Sequence, residues 1–253
     1  MGNEDGGSLQ DEWSVQPVFD RAMAENATWP DLGAEKYYDR AIGAVWYPVE
    51  VNTTLLNQWF WNPTTSRMKD LEALAEAYYQ SVGNNGVLLL NLSPDRTGRI
   101  PEDQVKRLGE CRRFIDGTFR ENQAADAEII PADAGLGRAG DMLTPNPEEY
   151  WEGRPDWDMG ADTAAFELRL PEVRRFDQVM LCEHVREGQR VAEWSLSVWE
   201  DGGFREVVRK GAVGRKCIRR FAPVCTDRLR LTIHRSYDAP QLSGFGLYLT
   251  QMP

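Results

Sequence analysis

The stretch Ser81–Gly98, SVGNNGVLLLNLSPDRTG, decides the fold class of the first half of the chain. Val87, Leu88, Leu89 and Leu90 form an unbroken apolar run. A strand with water on one face alternates polar and apolar side chains; a continuous run predicts a strand buried on both faces, as in a parallel sheet covered by helices. Polar residues follow at once, namely Asn91, Ser93, Asp95 and Arg96. In parallel α/β folds the chemistry gathers at the C-terminal ends of the strands.

The segments around this run carry helical signals. Ser66 is placed to cap a helix reaching about Gln80, with Met68, Leu71, Leu74, Ala75 and Tyr78 as its apolar stripe and Gly83 as its stop. Pro101 suits the first turn of a second helix, where Glu102 and Asp103 complement the dipole. Val105, Leu108, Cys111 or Arg112, and Ile115 mark its expected inward face. Before them, AIGAVWYPVEV at 41–51 reads as a strand that Pro48 interrupts, so that Glu50 ends it; NTTLLNQWFWNP then reads as a loop. Strand, helix, strand, helix is the unit of a parallel α/β fold, but about two such units cannot close a barrel.

From Ala165 the hydrophobic period changes to two. Phe166/Leu168/Leu170, Trp194/Leu196/Val198, Leu229/Leu231/Ile233 and Phe245/Leu247/Leu249 each alternate, punctuated by Gly202-Gly203, Gly211, Gly214 and Pro223. This pattern predicts an antiparallel β-sandwich. The chain therefore divides into an α/β part (1–120), an acid- and proline-rich linker or irregular segment (121–163) and an all-β domain (164–253).

Composition narrows the function. The net charge of −11 disfavours a nucleic-acid partner, whose phosphates attract cationic faces. The basic residues of 205–230 read either as a local patch or as the solvated face of alternating strands. Cys111, Cys182, Cys217 and Cys225 lack metal-ligand spacing, and with His184 and His234 as the histidines no zinc site is expected. No segment reaches transmembrane length, and no membrane partner or cofactor is implied. The polar residues after Met1 leave the compartment unknown. No dinucleotide, P-loop, serine-hydrolase or zinc-protease motif occurs.

Carboxylates among aromatics remain. Glu50 lies between Trp46-Tyr47 and Trp59-Phe60-Trp61, and Glu4 lies in a Gly/Asn-rich turn upstream of Trp13. Glycoside hydrolysis uses two carboxyl groups, and apolar walls favour the protonated form that the general acid needs. From the residues alone, each glutamate reads more readily as a solvated or salt-bridged surface residue.

The stretches WYPVEVNTTLLNQWFW and MKDLEALAEAYYQSVGNNGVLLLNLSPDRTGRIPEDQVKRLGE resemble the later half of the catalytic barrel of family 29 glycoside hydrolases, the α-L-fucosidases. GNEDGGSLQDEWS resembles that family's G-N-E-x-G…W-S stretch. EHVREGQRV, with its E-x-x-x-x-G-Q-R-V pattern, and the later G-x-x-G-x-K resemble its C-terminal β-sandwich. The resemblance implies a fold: an incomplete (β/α)8-type barrel, represented by its last strands and helices, followed by an all-β sandwich. It implies a retaining hydrolase of terminal α-L-fucose, with a fucosylated glycan as partner. By resemblance Glu4 is the acid/base, Glu50 is a pocket residue and runner-up for the acid, and Trp59 lines the fucose site, with Trp46 beside it. The family's nucleophilic aspartate lies upstream of G-N-E, and no residue here matches it. The N-terminal half of the barrel is thus expected outside this sequence. The family's S-I-R-P-G-W is Thr54-Leu55-Leu56-Asn57-Gln58-Trp59 here. The alternative is a non-catalytic carbohydrate-binding or scaffold protein derived from a fucosidase.

Overall fold

Pro48, without a donor N–H, divides the run at 41–51 into two strands. The computed structural model describes residues 2–3, 8, 11, 13–20, 41–131, 138–144 and 146–251. Strand β1 is Gly2–Asn3, β2 is Val15–Val18, β3 is Gly43–Trp46 and β4 is Glu50–Thr54. Glu50 therefore opens a strand instead of ending one, and Asn52–Thr54, expected in a loop, belong to it. β2 and β3 form an antiparallel pair.

β4 lies between β1 and β5 (Val87–Asn91) in a parallel three-stranded sheet. Two helices pack on one face: α1, Leu71–Tyr79, and α2, Glu102–Thr118. Leu55, Leu74 and Cys111 are buried there, with Leu90, Leu92 and Ile115 against them. The other face holds Glu50 and Asn52 in register with Val87 and Leu89. Val87 and Leu89 are 49% and 48% exposed, so the apolar run is covered on one face only.

Local chemistry moved the start of the first helix. α1 starts after Asp70, whose carboxylate accepts the Ala73 N–H at 2.7 Å. Ser66 instead accepts the Asn62 N–H inside the preceding loop. Gly83 is required by close approach: a Cβ there would lie 2.4 Å from the Tyr79 carbonyl oxygen. On α2 the buried set is Gln104, Cys111, Phe114 and Thr118, while Val105 and Leu108 face solvent.

The second half is one antiparallel assembly built on two 20-residue strands. They are β8, Ala164–Glu183, and β11, Cys217–Ser236. Their pairing shifts register at Arg220/Val224 and Thr226/Arg228. The first part of β8 carries β6 (Glu128–Pro131), and its second part carries β12 (Gln241–Tyr248), which holds β7 (Trp151–Glu152). The later part of β11 pairs with β9 (Val191–Glu200), and β9 pairs with β10 (Gly203–Lys210). Asp201 and Gly202, with φ of 50° and 85°, make the tight β9–β10 turn. The alternating residues read from sequence form one core: Phe166, Leu168, Trp194, Leu196, Leu229, Leu231, Phe245 and Leu247 are all buried. Ala124, Met142 and Trp151 join that core, so the described parts of the 121–163 segment pack on the sheet.

A smaller cluster joins the two halves. Tyr79 and Phe114 of the helices pack with Ile218 of β11 and Met180 of β8.

Candidate functional site

The C-terminal ends of the parallel strands carry a loop that builds itself from short polar side chains. Asn57 closes its base by pairing with the Arg67 backbone through N–H, carbonyl and amide groups. Asn62 caps its tip by accepting the N–H groups of Thr64 and Thr65. The Trp59 carbonyl oxygen is fixed twice, by the Asn91 side chain at 2.9 Å and the Ser93 hydroxyl at 2.7 Å. Gln104 of α2, 1% exposed, acts as a backbone mimic: its amide donates to Ser93 O at 2.8 Å and accepts from Ser93 N at 3.2 Å. The Trp59 indole is thus presented, 37% exposed, beside the more exposed Phe60. Asp95 fixes the next turn by accepting from Thr97 and Arg99, and the Thr97 hydroxyl bond in particular holds its carboxyl below the usual aspartate value.

The residues singled out from sequence do not all meet. Glu4 lies outside the described residues; it follows Asn3, the last residue of β1, which is paired with Val51. Glu50 is half-buried at the first position of β4, on the face turned away from the helices. Trp46 ends β3 and is 77% exposed. Trp59 belongs to the opposite end of the sheet, since β4 alone separates Glu50 from Thr54 by about 13 Å of strand.

The motif residues with the most partners stand at the junction of the two halves. Asn85, in the left-handed region at φ 62°, donates through its side-chain amide to Ser14 Oγ and to Gln189 Oε1. Its side-chain oxygen accepts the Arg215 N–H at 2.7 Å, and its own N–H donates to the Lys216 carbonyl. Gly214 sits against it at φ 64°; a Cβ there would lie 2.2 Å from the Asn85 side-chain nitrogen. The Glu183 carboxylate, buried, accepts the N–H groups of Arg190, Val191 and Gly214 at 2.7–2.8 Å. Burial pushes its pKa up to about 7, while those donors and the Arg190 charge pull it down. Arg219 adds bonds to the Gly83 carbonyl and the Asn84 side chain, and Arg220 pairs with Glu76 of α1. Three sequence patterns, S-V-G-N-N-G, E-x-x-x-x-G-Q-R-V and G-x-x-G-x-K, therefore form one clamp. The sequence signal was present in the glycines and amides, but it reads as turn chemistry until the partners are seen.

Other sequence readings resolve in the same coordinates. Arg205, Arg209, Arg220 and Arg228 all pair with glutamates, so these four charges are neutralised. The cysteines are free thiols, and burial pushes Cys182 and Cys217 up to about 11. Among the described residues no cluster could hold a metal ion, and no helix is long and apolar enough to cross a membrane.

The family profile described as Alpha-L-fucosidase matches residues 11–117. α-L-Fucosidase 1 of Arabidopsis thaliana is 27% identical over 261 residues, covering 98% of this chain and 49% of its own. An α-L-fucosidase-like protein of Oryza sativa subsp. japonica is 28% identical over 215 residues, covering 81% of this chain and 40% of its own. The chain thus spans half or less of the length of these relatives. The crystal structure of SpGH29 superposes with a TM-score of 0.82 at 26% identity, over 99% of this chain and 53% of that one. By sequence and by fold, the chain is similar to the family 29 α-L-fucosidases.

Proposed function

We propose that this chain is the later part of a retaining α-L-fucosidase that removes terminal α-L-fucose from glycans. In this reading the α/β part is the end of an incomplete (β/α)8-type barrel, and the antiparallel assembly is a β-sandwich folded at the register shifts of β8 and β11. The exposed Val87 and Leu89 suit this reading, because parallel strands are ordinarily covered on both faces. The N-terminal barrel half would cover them and supply the nucleophile.

One observation carries the assignment of roles. β1, which precedes Glu4 in sequence, runs parallel to β4 and β5, so the chain direction at Asn3 is toward the edge that carries the Trp59 loop. That is the edge where parallel α/β folds place their chemistry. We therefore assign Glu4 as the acid/base and Trp59 as the platform for the sugar. Glu50 opens β4 beside Gly2, and we keep it as a pocket residue in this reading.

The reaction would begin with attack of the missing half's carboxylate on the anomeric carbon while Glu4 protonates the departing glycosidic oxygen. Glu4 would then take a proton from the water that hydrolyses the fucosyl-enzyme. The test is turnover of an aryl α-L-fucoside by this chain complemented with the N-terminal barrel half of a related fucosidase. Glu4→Gln is expected to lower kcat about 10²–10⁴-fold with a poor leaving group, and far less with dinitrophenolate, which leaves without protonation. If Glu4→Gln is silent and Glu50→Gln abolishes turnover, the assignment is reversed. If the complemented protein binds fucose without turnover, the chain is a binding protein.

A further inference from the structure

A cavity lies at the other edge of the sheet, between the β2–β3 pair, the start of β5 and the clamp. Its volume is about 550 Å³, within the range of small-molecule sites. Trp46, Pro48 and Val87 form its apolar wall, and Gln189, Arg215 and Lys216 its polar one. No carboxylate lines it among the described residues, in a chain with 40 acidic and 29 basic residues. Trp46 is 77% exposed, unusual for the residue type that gains most from burial. Arg215 and Lys216 are held in place through their backbones, since Asn85 bonds the Arg215 N–H and the Lys216 carbonyl. Asn85 thus fixes the turn that carries both residues.

We propose that this cavity binds an anionic sugar: a pyranose ring stacked on the Trp46 indole, with a sulfate or carboxylate substituent between Arg215 and Lys216. An indole face suits the CH surface of a sugar ring, and a guanidinium beside an ammonium suits an oxyanion in charge-assisted bonds. The site is separate from the Trp59 loop by the length of the parallel strands.

The test is titration of the whole chain, by calorimetry and ligand-observed NMR, with four probes. These are D-galactose 6-sulfate, D-glucuronic acid, neutral D-galactose and inorganic sulfate. The charged sugars are expected to bind about tenfold tighter than either galactose or sulfate alone. Arg215→Gln combined with Lys216→Gln should reduce them to the level of galactose. Trp46→Leu, which keeps apolar bulk without an indole face, should weaken every sugar and leave sulfate unchanged. Binding of only one charged sugar supports the site and identifies its anion. Equal binding of galactose and the charged sugars, sulfate binding as tightly as galactose 6-sulfate, no binding at all, or folded variants that bind like the parent would each overturn it.

Discussion

Gly214→Ala tests whether the clamp is what holds the two halves together. Two costs are separable. The first is backbone strain: φ is 64°, and an L-residue there costs about 1–2 kcal/mol. The second is steric, since the new Cβ would stand 2.2–2.4 Å from the side-chain atoms of Asn85. Asn85 cannot yield without giving up bonds to Ser14, Gln189 and the Arg215 N–H, at 2.7–3.0 Å. At about 1 kcal/mol for each net bond, displacement costs about 3 kcal/mol more. The sum, about 4–5 kcal/mol, is a large part of an ordinary domain's stability. Gly202→Ala is the control, because its φ is 85° but nothing lies within 4 Å of its added Cβ. It should show the strain alone. The assay is urea unfolding followed by tryptophan fluorescence and circular dichroism, completed by the cycle with Asn85→Ala. In that background the clash disappears, so Gly214→Ala should cost no more than Gly202→Ala. Equal losses at Gly214 and Gly202 in the parent, or additive losses across the cycle, would refute the clamp.

The remaining predictions concern separate elements. Glu183 holds its proton more tightly folded than unfolded, so its contribution to stability is full below about pH 4.5 and lost as pH rises to about 7. The loss is worth roughly 3 kcal/mol, and Glu183→Gln should flatten that slope in unfolding measured from pH 4.5 to 8; identical slopes would remove the assignment. Gln104→Ala, which strips both bonds from the Ser93 backbone, should cost about 2–3 kcal/mol and speed hydrogen exchange over 91–99; unchanged exchange would contradict its role. Leu89→Lys, on the exposed face, should change stability by no more than about 0.5 kcal/mol yet prevent complementation by a barrel half. A large loss of stability, or intact complementation, would show that this face is not the one to be covered.

The antiparallel half was legible because its constraint is local. A period of two places Phe166, Leu168, Leu229 and Leu231 on one face whatever the topology, and these residues are buried. The sequence could not show that two strands run for 20 residues and that the register changes within β11, since bulges leave no composition signal. The apolar run at Val87–Leu90 misled for a related reason. Burial on both faces depends on neighbours, and the sequence shows only the strand's suitability for them. Boundaries failed where side-chain bonds compete: Ser66 and Asp70 are both good caps, and the loop's need for Ser66 at Asn62 leaves the helix to Asp70.

The candidate site illustrates a further separation, between residues that carry a resemblance and residues that do chemistry. Ser81–Gly86 and Glu183–Val191 carry much of the likeness to fucosidases, yet their side chains are spent on one another at the junction. Arrangements of this kind tolerate little variation. A carboxylate with three N–H donors, an amide bonded on both sides and a glycine filled by its neighbour each exclude almost every substitute. Chemistry at a strand end needs fewer fixed atoms, and here Trp59 is held through its carbonyl, which any residue offers. The loop can therefore change its composition, as it does at Thr54–Gln58, and still present an aromatic face at the same place. The edge that carries Trp59 is then free to vary, while the clamp keeps the two halves of the chain in one relation to each other.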